Sequence, residues 1–296
     1  MKILVTGGTG FVGSHLVDRL VSTGHEVYST KPHMGHKEQD VRCPVIDDYR
    51  DLGKVDVVFH LAANNDTLET DDCIMYKENV SYSLELFQWA CETGCRKIVY
   101  ASSTAVYGNG ATPYQESQKL SPLNAYARSK VAVEIIAQSM NKKHQDVIFV
   151  GLRYCNIYGP GESHKGHRMS MVSQLINRVK ADKRVQLFAN GEQRRDWIYV
   201  KDVVAGNIAA MQNCVKSCIV NCGYGKAYTF NYLVSAIYKT LGQSALAPVY
   251  IMNPYKSSYQ SHTECDMREA RMHLEFTPKY NLKNGLLDYF KTERII

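Results

Sequence analysis

Tyr126 and Lys130 stand four residues apart within 125–142, a run whose residues favour helix, so both side chains fall on one helical face. A lysine ammonium beside a phenol draws the phenol pKa down towards neutrality. The phenolate can then take the proton of a substrate hydroxyl while a hydride leaves the same carbon. Spacing alone also fits an ordinary surface pair. The third component is Ser103, in the segment Ala101-Ser102-Ser103-Thr104-Ala105-Val106-Tyr107-Gly108. An apolar run at 97–102 makes this the carboxyl end of a strand, where a hydroxyl would face a bound cofactor.

A second constellation opens the chain. Gly7-Gly8-Thr9-Gly10-Phe11-Val12-Gly13 follows a strand at 2–6 and begins a helix at 11–23. Gly7 lets the chain turn sharply, Gly10 lets backbone approach a pyrophosphate, and Gly13 lets the helix pack closely on the strand. The positive end of the helix then meets the phosphates. At the end of the next strand, 26–30, an acid would receive the ribose hydroxyls of NAD. This chain instead has Ser29-Thr30-Lys31, followed by His33, His36 and Lys37. Hydroxyls plus the Lys31 ammonium would attract a 2′-phosphate, so the expected cofactor is NADP, with NAD the lesser alternative. The plain alternative leaves Lys31 in solvent.

These residues need a frame, and the alternation of short apolar runs with amphipathic stretches supplies one. Strands are expected at 2–6, 26–30, 55–62, 97–102 and 147–153, with helices at 11–23, 79–93 and 125–142. The pattern predicts an α/β fold, a doubly wound parallel sheet binding its ligand beyond the carboxyl ends of the strands. After Asn156 the texture changes to a Gly-Pro-Gly loop, a helix at 169–181, a short strand at 185–188 and a Tyr-rich tail. A smaller α/β substrate-binding domain from non-contiguous segments is expected. Residues 1–156 with a return segment 197–222 would hold the dinucleotide, and 157–196 with 223–296 would form the second domain.

The 45% apolar fraction of the 296 residues is enough for a sizeable core, which excludes a disordered chain. The net charge of +6 is scattered rather than blocked, so no nucleic-acid partner is expected. No apolar run approaches the roughly 18–20 residues that span a bilayer, and Met1–Thr6 reads as a strand rather than a signal peptide. An odd nine cysteines without a Cys-x-x-Cys pair fit free thiols in a reducing, cytoplasmic compartment. Cys214, Cys218 and Cys222 fall four apart, yet no further ligand stands at zinc spacing, so no metal is expected.

In combination, the glycine triplet, His60-Leu61-Ala62-Ala63, the Ser103 segment, Tyr126/Lys130, Arg153-Tyr154-Cys155-Asn156 and Arg195-Asp196-Trp197-Ile198-Tyr199-Val200 resemble the extended short-chain dehydrogenase/reductase family, in members acting on nucleotide sugars. The likeness implies a Rossmann sheet with Ser103, Tyr126 and Lys130 as catalytic triad. It implies cofactor contacts at Gly7, Gly10, Phe11, Val12, Gly13, Thr30, Lys31, the adenine-contacting pair Asp40-Val41, and Leu61, Ala62 and Ala63. Asn156 and Arg195 match positions that hold a substrate diphosphate; for Arg195 an ion pair with Asp196 is the plain alternative. Ser103, Thr104, His164 and Phe188 complete the expected substrate contacts. A homo-oligomer pairing through the helices at 79–93 and 125–142 is implied by likeness alone.

The resemblance also bears on the reaction. Dehydratases of the family carry an Asp-Glu pair where this chain has Thr104-Ala105, and decarboxylating relatives keep a Glu at the second position. Neither residue here can do acid–base work. The loop Gly159-Pro160-Gly161-Glu162-Ser163-His164-Lys165-Gly166 resembles that of ADP-glycero-manno-heptose 6-epimerases, in which the lysine is a second acid/base. The implied activity is a nucleotide-sugar epimerase that oxidises its substrate to a keto-sugar and re-reduces it with tightly bound NADP. Lys165 would be the second base, against the plain alternative of an exposed loop lysine. The rival activities are a UDP-hexose 4-epimerase, an NADPH-dependent keto-sugar reductase, and a non-catalytic dinucleotide-sensing or RNA-associated protein that has kept the fold.

Overall fold

The computed structural model describes residues 1–31, 40–181, 184–254 and 259–296; His33, His36 and Lys37 of the expected phosphate patch lie outside them. The strands are β1 (Lys2–Thr6), β2 (Glu26–Thr30), β3 (Val45–Ile46), β4 (Val57–His60), β5 (Lys97–Ser103), β6 (Ile148–Tyr154), β7 (Asn156–Tyr158), β8 (Gln186–Phe188), β9 (Arg194–Tyr199), β10 (Cys218–Cys222), β11 (Ala227–Thr229) and β12 (Val249–Ile251). The helices are α1 (Phe11–Ser22), α2 (Asp72–Met75), α3 (Tyr82–Glu92), α4 (Ala125–Lys143), α5 (Met171–Lys180), α6 (Val200–Asn213), α7 (Phe230–Thr240), α8 (Arg268–Leu274) and α9 (Leu282–Thr292).

Seven parallel strands form the central sheet in the order β3-β2-β1-β4-β5-β6-β10. Alternate residues face opposite sides. Ile3, Val5, Val57, Phe59 and Val99 pack with Leu16 and Leu20 of α1 and with Val203 and Ala210 of α6. Leu4, Val58, Ile98 and Tyr100 pack with Phe87 of α3 and Val133 of α4. Burial on both faces is why these strands read as unbroken apolar runs. The register pairs Thr6 with His60 and Ser103 with Tyr154, which brings the glycine turn and the serine segment to one edge.

A second core gathers Tyr158, Trp197, Tyr199 and Phe230 with the apolar faces of α5, α7 and α9. It is built on the small sheet β11-β9-β7 and the pair β12-β8. Phe11, the first residue of α1, belongs to this second core while Leu16 and Leu20 belong to the first, so α1 is wedged between the two bodies. The tail divides: α7 and α9 join the second core, whereas Ala270 and Leu274 of α8 pack with the first.

The helix expected to begin at 79 begins earlier. Asp71 caps α2 by accepting from Cys73 N at 2.8 Å, and a π-helical turn, Tyr76–Ser81, joins α2 to α3. Such turns place an extra residue on one face and recur at functional sites. Among the described residues no helix is long and apolar enough to cross a membrane.

Candidate active site

The carboxyl edge of the central sheet opens on a cleft of about 330 Å³. Its floor is the β1–α1 turn. Gly7 has φ +71°, and a Cβ there would lie 2.7 Å from the Ala62 backbone nitrogen. A Cβ on Gly13 would overlap the Gly7 carbonyl oxygen. Gly10 caps α1, which has no side-chain cap, leaving its first-turn N–H groups to the cleft that Gly10, Phe11, Val12 and Gly13 line. Leu61, Ala62 and Ala63 line it as well. A bare turn under a helix N-terminus fits the pyrophosphate of a dinucleotide.

At the carboxyl end of β2 one expectation needs correcting. Ser29 is buried and its hydroxyl donates to the Thr30 carbonyl at 3.2 Å; the Thr30 hydroxyl is buried and bonded to Tyr82. Both point inward because β2 is covered by the helix layers, so neither can receive a 2′-phosphate. Lys31 is exposed at the strand end, with its ammonium 2.5 Å from the Asp47 carboxylate. Asp40 is exposed and Val41 packs on the central core; neither lines the cleft.

Ser103, Tyr126 and Lys130 meet in the cleft. Ser103 ends β5, and its Oγ accepts from Ala105 N at 3.2 Å. Asn124 starts α4 by accepting from Ala127 N at 2.8 Å, which puts Tyr126 in the first turn. Lys130, one turn on, is 4% exposed and donates to the Ala101 carbonyl at 3.0 Å. Burial draws its ammonium down to about 8, opposed by Glu134. Lys130 Nζ lies 5.8 Å from the Tyr126 ring centroid. The expected fall of the Tyr126 pKa is not found: burial raises it, against a lowering hydrogen bond from Ser103.

Several residues the sequence reading passed over hold this cluster. Asn79, in the π-helical turn, exchanges hydrogen bonds with the Asn64 backbone at 2.7 and 2.9 Å and donates to Ser129 Oγ at 2.9 Å. Ser129 in turn donates to the Tyr126 carbonyl at 2.7 Å. Behind Lys130, Glu134 accepts from Ser102 at 2.5 Å and forms a buried two-pronged pair with Arg153. Each of these bonds joins residues at least 15 positions apart except Ser129 to Tyr126, so only an unexplained polar residue in an apolar stretch signals them.

Lys165 enters the same cleft from the turn Ser163–Arg168. Its ammonium lies 4.9 Å over the Phe11 ring and donates to Glu162 Oε2 at 3.0 Å. Glu162 is itself buried and bonded to Ser170 and Ser173. His164 also lines the cleft; its ring bonds the Gly161 carbonyl at 3.0 Å, and burial lowers its pKa.

Asn65, Ile157 and Arg168 line both this cleft and an adjoining one of about 370 Å³ that contains Asn156 and Arg195. Arg195 is 8% exposed. Its guanidinium stacks 4.7 Å from the Tyr259 ring and 5.7 Å from Phe230, and burial draws its pKa below the usual arginine range. It is not paired with Asp196, whose oxygens accept from the backbone N–H groups of Tyr224, Gly225 and Cys265. The Asn156 amide donates to the Asp196 carbonyl and to Thr263 Oγ1. Phe188 meets the Tyr259 ring edge to face, centroids 5.7 Å apart, and lines neither cleft. Thr104 is also outside: buried, it donates to the Tyr154 carbonyl at 3.2 Å, because the turn after Ser103 carries it beneath the sheet edge.

Among the described residues one group, Cys155, Asp196 and Cys265, brings three ligand atoms within 4.8 Å. With its carboxylate held by three N–H donors and no fourth ligand, it is a poor tetrahedral site.

Residues 3–223 match the NAD dependent epimerase/dehydratase family. The chain is 32% identical to the ADP-L-glycero-D-manno-heptose-6-epimerase of Brachyspira hyodysenteriae, over 97% of this chain and 96% of that one. The crystal structure of the enzyme of that name from Helicobacter pylori is 34% identical and covers 100% of this chain and 96% of its own, with a TM-score of 0.89. A UDP-glucuronic acid 4-epimerase from Bacillus cereus, solved with UDP-glucuronic acid and NAD, is 26% identical at a TM-score of 0.85, over 99% of this chain and all of its own.

Proposed function

The chain belongs to the NAD dependent epimerase/dehydratase family and is an NAD(P)-dependent nucleotide-sugar epimerase; from that premise we propose that it inverts C6 of an ADP-glycero-manno-heptose. The observation that carries this reading is Lys165, a second ammonium in the cleft of Ser103, Tyr126 and Lys130. An epimerase must serve both faces of one carbon, and two proton carriers in one cleft suit that need.

When bound, the dinucleotide supplies the acceptor and donor of hydride. The turn Gly7–Gly13 would hold its pyrophosphate, Leu61–Ala63 would flank it, and Lys130 would hold the nicotinamide ribose. Tyr126 takes the proton of the substrate hydroxyl, with Ser103 hydrogen-bonding the same oxygen. The keto-sugar turns over in the pocket, and Lys165 returns a proton to its oxygen from the other face. Arg195 holds the diphosphate, its guanidinium fork matching phosphate oxygens; Asn156, whose amide hydrogens go to the Asp196 carbonyl and Thr263 Oγ1, lines the same cleft without a donor to spare.

The cofactor in this proposal is NADP, supported by the lack of an acid at Ser29-Thr30-Lys31 and by the exposed Lys31 ammonium, which would exchange its Asp47 partner for the 2′-phosphate. Identifying the dinucleotide released on denaturation tests it, and NAD alone refutes it. The proposal also covers a division into residues 1–156 with 197–222 for the dinucleotide and 157–196 with 223–296 for the sugar nucleotide, although α8 lies against the first core. Cytoplasmic location and homo-oligomeric assembly complete it, the latter supported by the exposed Leu84 of α3 and Ile135 of α4.

The decisive experiment incubates the purified protein, without added cofactor, with ADP-heptose and with UDP-hexoses, following products by mass spectrometry and NMR. A C6 isomer of ADP-heptose with unchanged mass is expected. Inversion at C4 of a UDP-hexose alone would make the chain a 4-epimerase, and in a parallel reaction with NADPH added, its stoichiometric loss would make the chain a reductase.

A further inference from the structure

The turn between α6 and β10 carries two cysteines that take no part in the proposed reaction. Cys214 caps α6 and is buried; Cys218 opens β10 and is half-buried. Their sulfurs lie 3.5 Å apart, while Val215 and Lys216 between them stand in solvent. The turn is pinned from below. Ser217 Oγ accepts from Phe149 N at 2.9 Å and donates to Asn141 Oδ1 at 2.7 Å. The contact between the sulfurs is therefore fixed by a helix end and a strand start, each packed on the central sheet.

Cys214 Sγ also donates to the Lys216 carbonyl at 3.1 Å, and the surroundings push the two thiols in opposite directions. The hydrogen bond with Cys218 holds Cys214 down to about 6 against its burial, with the Lys97 ammonium and His273 adding to the effect. The same bond pushes Cys218 up. Lys97 is anchored nearby, donating to the carbonyls of Met211 and Cys214 at 2.6 and 2.7 Å. Two sulfurs in contact, one drawn towards the thiolate and the other held as the thiol, have the arrangement of an attacking and a resolving cysteine. The other close pair, Cys155 and Cys265, lacks it: both are buried, and their mutual hydrogen bond, burial and the Asp196 carboxylate push Cys265 well up.

We propose that Cys214 and Cys218 are a peroxide-oxidisable dithiol that closes to a disulfide across the α6–β10 turn. The Cys214 thiolate attacks one oxygen of hydrogen peroxide, the O–O bond breaks, and a sulfenic acid forms as the departing hydroxide takes up a proton to leave as water. The Cys218 thiol then attacks that sulfur, its proton and the sulfenic hydroxyl leave as a second water, and the S–S bond forms. Two thiols are oxidised and one peroxide is reduced to two waters. The fold joins the pair without large movement because the sulfurs already touch.

The test treats the purified full chain with a few equivalents of hydrogen peroxide at pH 7, blocks remaining thiols with iodoacetamide under denaturing conditions, and digests with trypsin. Cleavage after Lys216 separates the two cysteines unless they are bonded. The expected result is a linked peptide two hydrogens lighter than its halves, lost on treatment with dithiothreitol, with fragment ions joining Cys214 to Cys218. In Cys218→Ser the link is lost and Cys214 instead takes up dimedone, a trap for sulfenic acid. Full alkylation of both cysteines while the exposed Cys73 is oxidised, or a bond from Cys214 to Cys222, overturns the proposal.

Discussion

The Lys165 ammonium lies over the face of the Phe11 ring, 4.9 Å from its centroid. Phe11 is the first residue of α1, whose N-terminus lines the cleft, and it also packs into the second core. The loop after β7 thus closes on the very residue that joins the two bodies. A cation on an aromatic face gains about 0.5–2 kcal/mol, and Glu162 holds the same ammonium from its other side at 3.0 Å. Lys165 is a fixed group in the cleft and not a solvated loop lysine.

That fixed position makes Lys165 testable by two substitutions. Lys165→Met removes the proton carrier but also strands the buried Glu162 carboxylate, so stability should fall as well as turnover. Lys165→Arg keeps the charge, and so the pairing with Glu162, yet a guanidinium does not give up its proton. Steady-state assays of both should show a loss of about 10²–10⁴-fold in kcat, with the melting temperature of the arginine variant close to wild type. An arginine variant with full turnover would remove Lys165 from the chemistry.

Tyr126→Phe deletes the phenol hydroxyl and little else. Turnover should fall by about 10²–10⁴-fold, while dinucleotide content, read from the absorbance of the supernatant after denaturation, stays at the wild-type level. The ring still packs beside Lys130, so a folding defect is not expected. Near-normal turnover in this variant would overturn the assignment.

Local signals carried much of this site in readable form. Gly7, Gly13, Ser103, Tyr126 and Lys130 are brought to one cleft by the elements they begin, end or share, and strand and helix texture places those elements. What stayed hidden depends on distant contacts. Ser29 and Thr30 look like phosphate ligands until the burial of β2 turns their hydroxyls inward. Asn79 matters through Asn64 and Ser129, 15 and 50 residues away. Tyr259, which stacks on Arg195, comes from a tail whose tyrosines and prolines mask its helices. Thr104 departs from expectation for the opposite reason: its neighbour Ser103 faces the cleft, and the turn that follows rotates Thr104 away.

Arg195 offers a test of substrate binding separate from the chemistry. Its guanidinium is held between Tyr259 and Phe230 with Asp196 bonded elsewhere, so its charge is available to the second cleft. Arg195→Gln should raise KM by about 10- to 100-fold, the loss of charged hydrogen bonds to a diphosphate, with kcat little changed. A fall in kcat at constant KM would put Arg195 in the transition state instead.

Lys130 should write itself into the pH dependence of stability. Its folded pKa of about 8 lies below the ordinary 10.5, so between those values the unfolded chain holds a proton that the folded chain has released. Stability therefore rises with pH across that window, by at most about 1.4 kcal/mol per unit. Below pH 8 both states are protonated and the burial of the ammonium costs its full amount. Urea midpoints of dinucleotide-free wild type and Lys130→Met at pH 7, 8.5 and 10 isolate the effect, because other titrating groups cancel in the difference. The wild type should gain on the variant as pH rises; parallel curves would mean that Lys130 keeps its charge in the fold, held by Glu134 more strongly than burial opposes it.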